Sequence, residues 1–124
     1  MGRYGSKYGN RKITIDNITF DSTGEGLRYK ELKLLEKTGQ ITDLQLQKKF
    51  IIVPEIREPD TVGSRGRVKK GKLIQSAAYY VADFVYYDKN GRLVVEDFKG
   101  FKTDLYKLKK KLMKYIYNID IKET

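Results

Sequence analysis

One acid interrupts an apolar run. Residues 79–87 read Tyr-Tyr-Val-Ala-Asp-Phe-Val-Tyr-Tyr, so both faces of the strand they would form are apolar or aromatic except at Asp83. A charge there is costly unless a partner or a cation compensates it. The turn Asp88-Lys89-Asn90-Gly91 follows, and then a second run, Leu93-Val94-Val95-Glu96-Asp97-Phe98-Lys99. Acids and a lysine on paired strands are the raw material of metal-assisted hydrolysis.

The turn decides which acid joins Asp83. Asp at the first position and Gly at the fourth suit a type I turn, with Gly91 left-handed in a three-residue loop with a bulge. That register sets Asp88 against Arg92 and Asp83 against Asp97, and alternation adds Lys99 to the same face. A two-residue Asn-Gly turn would slip the register by one and present Glu96 instead. The first register is preferred because it alone gathers two carboxylates and a lysine. Two adjacent carboxylates repel each other. With a divalent cation between them they make the hard oxygen site that magnesium or manganese prefers. The competing reading is a salt-bridged surface hairpin in which Lys99 pairs with Asp97; it leaves Asp83 unexplained.

Composition narrows the chemistry. The 124 residues suit one domain, with 26 Lys and Arg against 16 acids and a net charge of +10. Such an excess points to a polyanion, nucleic acid before an anionic membrane. No apolar stretch approaches transmembrane length and no signal peptide is visible, so a membrane partner is not expected and a cytoplasmic location is. The chain has no cysteine, which removes disulfides, zinc–thiolate sites and thiol nucleophiles. It also has no histidine, which removes Ser-His-Asp chemistry and nucleases with a histidine base. There is no Walker-type glycine loop and no internal repeat. An enzyme here must work with carboxylates, lysine, tyrosine and metal.

The elements that must position these residues follow from pattern. Residues 1–12 mix Gly, Tyr, Arg and Lys and read as a flexible basic arm, either stacking and pairing with nucleic acid or merely solvated. A single domain is expected over residues 13–124. Residues 13–20 suit a short strand or an extended segment. Ser22 and Glu25 have capping-box spacing, opening a helix over residues 23–38 that Gly39 stops. Leu27, Leu34 and Leu35 would be its inner side. Residues 44–53 read as a strand ended by Pro54. Residues 55–72 read as a basic loop for phosphate contacts, or as a solvated linker. Thr103 would cap a second helix over residues 104–117, burying Leu105, Leu108, Leu112 and Tyr115 or Ile116. A last strand is expected at residues 119–122. The order helix, three strands, helix, strand describes an α/β sandwich with a mixed sheet.

These residues resemble the PD-(D/E)xK nuclease superfamily. Its site is an acid at a strand centre, here Asp83, followed by Asp or Glu-x-Lys on the next strand, here Asp97-Phe98-Lys99. More narrowly, the chain resembles a family of small phage-encoded proteins, through Phe20-Asp21-Ser22 with Glu25, Tyr80-Val81-Ala82-Asp83-Phe84, Glu96-Asp97-Phe98-Lys99-Gly100 and Lys102-Thr103. The resemblance implies a restriction-endonuclease-like core and a Mg²⁺- or Mn²⁺-dependent DNA endonuclease, acting in the cytoplasm of a bacterial host. It implies that Glu25, Asp83 and Asp97 bind the metal and that Lys99 assists the chemistry. Branched DNA, as for Holliday-junction resolvases, and a homodimer are the expected partners. Two departures stand out: Ala82 replaces the proline, and Glu96 adjoins Asp97. Glu25 has a competing role as the third residue of a capping box. Gln47 either orients water or phosphate or is an edge-strand polar residue. A non-catalytic basic nucleic-acid-binding protein is the alternative function.

Overall fold

The computed structural model describes residues 11–99 and 101–124. Most of the expected basic arm therefore lies outside the described residues. In chain order the elements are β1 (Ile13–Ile15), β2 (Ile18–Phe20), α1 (Thr23–Lys37), β3 (Thr42–Val53), β4 (Ile56–Arg57), β5 (Thr61–Val62), β6 (Val68–Lys69), β7 (Leu73–Gln75), β8 (Ala78–Tyr87), β9 (Leu93–Asp97), α2 (Asp104–Tyr117) and β10 (Lys122–Glu123). The central sheet runs β10-β9-β8-β3. β3, β8 and β9 form an antiparallel meander, and β10 joins β9 in parallel, so the sheet is mixed.

The helices lie on opposite faces of this sheet. One core gathers Ile52, Tyr80, Ala82, Val85 and Val95 with Tyr106 and Met113 of α2. The other gathers Phe84 and Tyr86 with Phe20 and with Tyr29 and Leu32 of α1. Each helix begins at a side-chain cap. The Ser22 hydroxyl accepts the Glu25 N–H at 3.1 Å, and that of Thr103 accepts the Tyr106 N–H at 3.0 Å. α1 ends before Gly39, whose φ of 81° suits glycine, and α2 ends at left-handed Asn118.

Four expectations are corrected. The inner face of α1 is Glu25, Gly26, Tyr29 and Leu32, while Leu27 and Leu34 are exposed. Packing turned the helix: a Cβ on Gly26 would come within 2.6 Å of Ile13 Cγ2, so the β1–β2 hairpin presses on the helix there. On α2, Tyr106 and Met113 are buried and Leu112 is partly buried, whereas Leu105, Leu108, Tyr115 and Ile116 face out. The helix carries two apolar stripes, and the one with the larger, more adaptable Tyr and Met fills the groove. Finally, residues 55–72 are no loop. They form most of a two-stranded ribbon, β4 with β7 and β5 with β6, which extends the β3–β8 hairpin. The last strand is also shorter and later than residues 119–122.

Candidate functional site

The β8–β9 hairpin has the bulged three-residue loop. Gly91 has a φ of 77° and its N–H donates to the Asp88 carbonyl at 3.0 Å, while the Asp88 N–H donates to the Arg92 carbonyl at 2.9 Å. The ladder pairs Tyr87 with Leu93 and continues to Phe84 with Glu96. One step further sets Asp83 beside Asp97, as the preferred register requires.

At that level the sheet has a fault. Along β8, Tyr80 and Ala82 belong to the α2-side core, but Phe84 belongs to the α1-side core. Along β3, Leu46 packs on the α1 side and Phe50 and Ile52 on the α2 side. Side chains two apart on a regular strand share a face, so both strands flip between these positions. The ladder pairs Leu46 with Phe84 and Lys48 with Ala82, which leaves Gln47 and Asp83 between them. Gln47 has a φ of 51°, a left-handed backbone in mid-strand. Such conformations cost about 1–3 kcal/mol and gather at functional sites. The Gln47 amide donates to Asp83 Oδ1 at 3.2 Å, and the Phe98 N–H donates to Asp83 Oδ2 at 2.9 Å. The interrupting acid is therefore held by a strained neighbour and by the strand that carries Asp97.

Glu96 and Asp97 are equally buried, 0% and 1% exposed, yet differently placed. Glu96 turns toward α1 and meets a fork of donors from the Arg28 guanidinium, whose Nη2 lies 2.9 Å from Oε2. The Tyr86 hydroxyl adds a hydrogen bond at 2.6 Å and Thr124 another at 3.2 Å. Burial alone would raise its pKa, but these bonds hold it below the usual carboxylate value. The opposite partner responds in kind: hydrogen bonding to Glu96 raises Arg28 further.

Asp97 faces the α2 side. Its Oδ2 accepts the Tyr80 hydroxyl at 2.7 Å and lies 3.4 Å from Lys99 Nζ. Among the described residues its Oδ1 is buried with no hydrogen-bond donor. Burial, and next the neighbouring Asp83 carboxylate, push its pKa up despite Tyr80 and Lys99. Lys99 Nζ also sits 4.6 Å from the centre of the Tyr106 ring, a cation–π contact that holds the ammonium in place.

Glu25 completes the acidic region. The Ser22 half of the capping box forms, but among the described residues the Glu25 carboxylate takes no hydrogen bond. Instead, burial, then Asp83 and Asp21, push its pKa up to about 7, with Lys99 opposing. α1 is keyed to the acidic strand by Phe98: a Cβ on Gly24 would lie 2.9 Å from its Cε2 and closer still to its Cζ. Shallow clefts open on both sides of the acids. One, of about 200 Å³, is lined by Tyr80, Val81, Asp97, Lys99, Leu105 and Lys109, among others. The other, of about 240 Å³, includes Asp21, Glu25, Leu46 and Gln47.

The fold thus brings Asp83, Asp97 and Lys99 together, with Glu25 within electrostatic reach. No group of three or more acids among the described residues closes into a ready cation cage. The carboxylate oxygens that could serve a cation are the buried Asp97 Oδ1 and those of Asp83, each already accepting one N–H, and of Glu25. Sequence reasoning missed Tyr80, because simple alternation from Asp83 puts it on the other face. It also missed Arg28, whose partner lies 68 positions away.

An α/β protein with a mixed sheet, helices on both faces and a buried acid, Asp97, beside the half-buried Asp83 and a lysine is what fold and site define. The chain belongs to the family described as "Protein of unknown function (DUF1064)", whose model matches residues 5–124. No curated protein and no solved structure matches it significantly. No helix among the described residues is long and apolar enough to cross a membrane.

Proposed function

We propose that this protein is a Mg²⁺- or Mn²⁺-dependent DNA endonuclease with a restriction-endonuclease-like core. The observation that carries the reading is the buried Asp97 carboxylate beside Asp83, with no donor to Oδ1 among the described residues. A buried acceptor without a donor is costly, and two facing acids add repulsion. A hard divalent cation relieves both, and the donor set is all carboxylate oxygen, which suits Mg²⁺ or Mn²⁺. Asp83 and Asp97 would hold the ion, with Glu25 as the third carboxylate. When bound, it would supply Lewis-acid polarisation of the phosphate and a lowered pKa for water at the site.

The chain's own residues do the rest. Tyr80 and Lys99 occupy Asp97 Oδ2 and so aim Oδ1 away from them. Gln47 and the Phe98 N–H fix Asp83. The Lys99 ammonium, steadied by the Tyr106 ring, orients a water or stabilises negative charge growing on the phosphate as water adds to phosphorus and the P–O ester bond breaks. Glu96 takes no part, being saturated by Arg28, Tyr86 and Thr124. Branched DNA is the substrate this reading favours, and paired cuts on it would need two copies of the chain.

The experiment is cleavage of linear, flapped and four-way DNA with and without Mg²⁺ or Mn²⁺. Metal-dependent strand scission is the expected result. Tight binding of all three substrates with no scission in either metal would overturn the reading in favour of a non-catalytic binding protein.

A further inference from the structure

The ribbon between β3 and β8 has a built form. At its base the Glu58 N–H donates to the Lys72 carbonyl at 2.8 Å, and Arg57 reaches the Gly71 carbonyl at 3.0 Å. The Gly71 N–H donates to Asp60 at 2.8 Å, so close to the Glu58 backbone that no Cβ would fit. At its tip the Gly63 N–H donates to the Arg67 carbonyl at 2.8 Å and the Gly66 N–H to the Gly63 carbonyl at 3.0 Å, with Gly66 left-handed. The element is an ordered two-stranded hairpin, and its side chains are almost all exposed.

Its charge is sorted. The acids Glu55, Glu58 and Asp60 stand at the base, where Glu55 pairs with Arg57 at 2.8 Å and Asp60 holds Gly71. Arg65, Arg67, Lys69, Lys70 and Lys72 run from the tip down the return strand, and no ion pair among the described residues includes them. Thr61 opposes Lys69, and Gly63 opposes Arg67, so these cations share a face with small partners. No aromatic residue lies between Phe50 and Tyr79. Grips for single strands rely on aromatic platforms, whereas a two-stranded ribbon fits the major groove of a duplex.

We propose that this ribbon is a grip for double-stranded DNA, laying its basic tip along the phosphates of a duplex roughly one to one and a half helical turns from the acids. This rests on the reading of the acids as a DNA-cleaving site. The distance follows from the chain. From Asp83 back to Lys70 and Arg65 the strand path would span roughly 40–60 Å at ~3.3 Å per residue. One turn of duplex is about 34–36 Å. The grip reads backbone, so it would select duplex length and not sequence.

The test compares the full chain with the quadruple variant Arg65→Gln, Arg67→Gln, Lys69→Gln, Lys70→Gln, by fluorescence anisotropy without divalent metal. The probes are a duplex of about thirty base pairs, one of about eight, and a single strand of about thirty nucleotides. On the long duplex the variant's salt slope should be shallower by about 3, so that between about 50 and 200 mM salt the wild type loses on the order of 10² more affinity. On the short duplex and the single strand the two proteins should differ little. Equal losses on all three probes, a loss confined to the single strand, or no loss would overturn the proposal. So would a wild-type dimer that the variant turns to monomer with duplex binding unchanged, which would assign the ribbon to a second copy. The readout needs no scission: failure of the nuclease reading would appear separately, as uncut DNA in Mn²⁺ with the duplex preference intact.

Discussion

Glu96 and Asp97 are neighbours on one strand, equally buried, and opposite in kind. Glu96 is met by a guanidinium fork, a tyrosine and a threonine, and its pKa falls. Asp97 is met by a tyrosine and by Lys99 on one oxygen only and faces another acid, and its pKa rises. Burial therefore does not distinguish a structural acid from a candidate functional one; the completeness of its partners does. A satisfied buried acid locks α1 to the sheet. A half-satisfied one is where we propose that a cation binds.

The contrast breaks most visibly under substitution. Asp97→Asn and Asp83→Asn should each abolish DNA scission while DNA binding holds or tightens, since a repulsive charge is lost. The melting temperature of Asp97→Asn should hold or rise, since repulsion from Asp83 is lost, whereas Asp83→Asn also gives up one of its two accepted N–H bonds. Glu96→Gln should do the reverse: it leaves Arg28 without its main partner and should cost about 2 kcal/mol or more of stability, with scission per folded molecule much less affected. Thermal melts beside cleavage rates check both halves. Scission lost only in Glu96→Gln would reverse the assignment of the two acids.

Lys99→Ala should slow scission by about 10²-fold or more, with Mn²⁺ affinity kept or slightly raised. Lost metal binding in that variant would move Lys99 from the chemistry to the support of Asp97.

The two acids should also leave opposite marks on the pH dependence of stability without metal. Glu25 is raised from 4.5 to about 7 and Asp97 is raised too, so between those values the fold binds more protons than the unfolded chain. Stability then falls as pH rises from about 4 toward 7. Glu96, lowered in the fold, contributes stability above its unfolded value that is lost on acidification. Melts across pH should show the loss toward pH 7 weakened in Asp97→Asn, and the acid-side loss weakened in Glu96→Gln.

The smallest effect is at Gly24. Gly24→Ala pushes on Phe98 and should cost about 1–3 kcal/mol as overpacking, with a modest fall in scission because Glu25 and Lys99 are displaced together. An unchanged melt would show that Phe98 simply swings aside.

What could be read in the chain follows how local each determinant is. The hairpin register was legible because Asp88 and Gly91 set it within five residues, and both helix caps were legible for the same reason. The fault at Gln47 and Asp83 was not. It is agreed between two strands 36 positions apart, and it puts Tyr80 on the face of Asp97 against simple alternation. The helix faces were misread because each helix offers more than one apolar stripe and tertiary contact chooses. The ribbon looks like a loop in the sequence because its strands are exposed on both sides and carry no burial pattern. Its tip turn nevertheless repeats the bonding of the Asp88–Gly91 turn, with glycine again at the fourth position.

The central claim is that Asp97, and not Glu96, keeps a coordination place open. Calorimetric titration of Mn²⁺ into the wild type, Asp97→Asn and Glu96→Gln tests it most directly. The expected result is saturable binding in the wild type and in Glu96→Gln, and none in Asp97→Asn. Binding that survives in Asp97→Asn, or that is absent from the folded wild type, would contradict it.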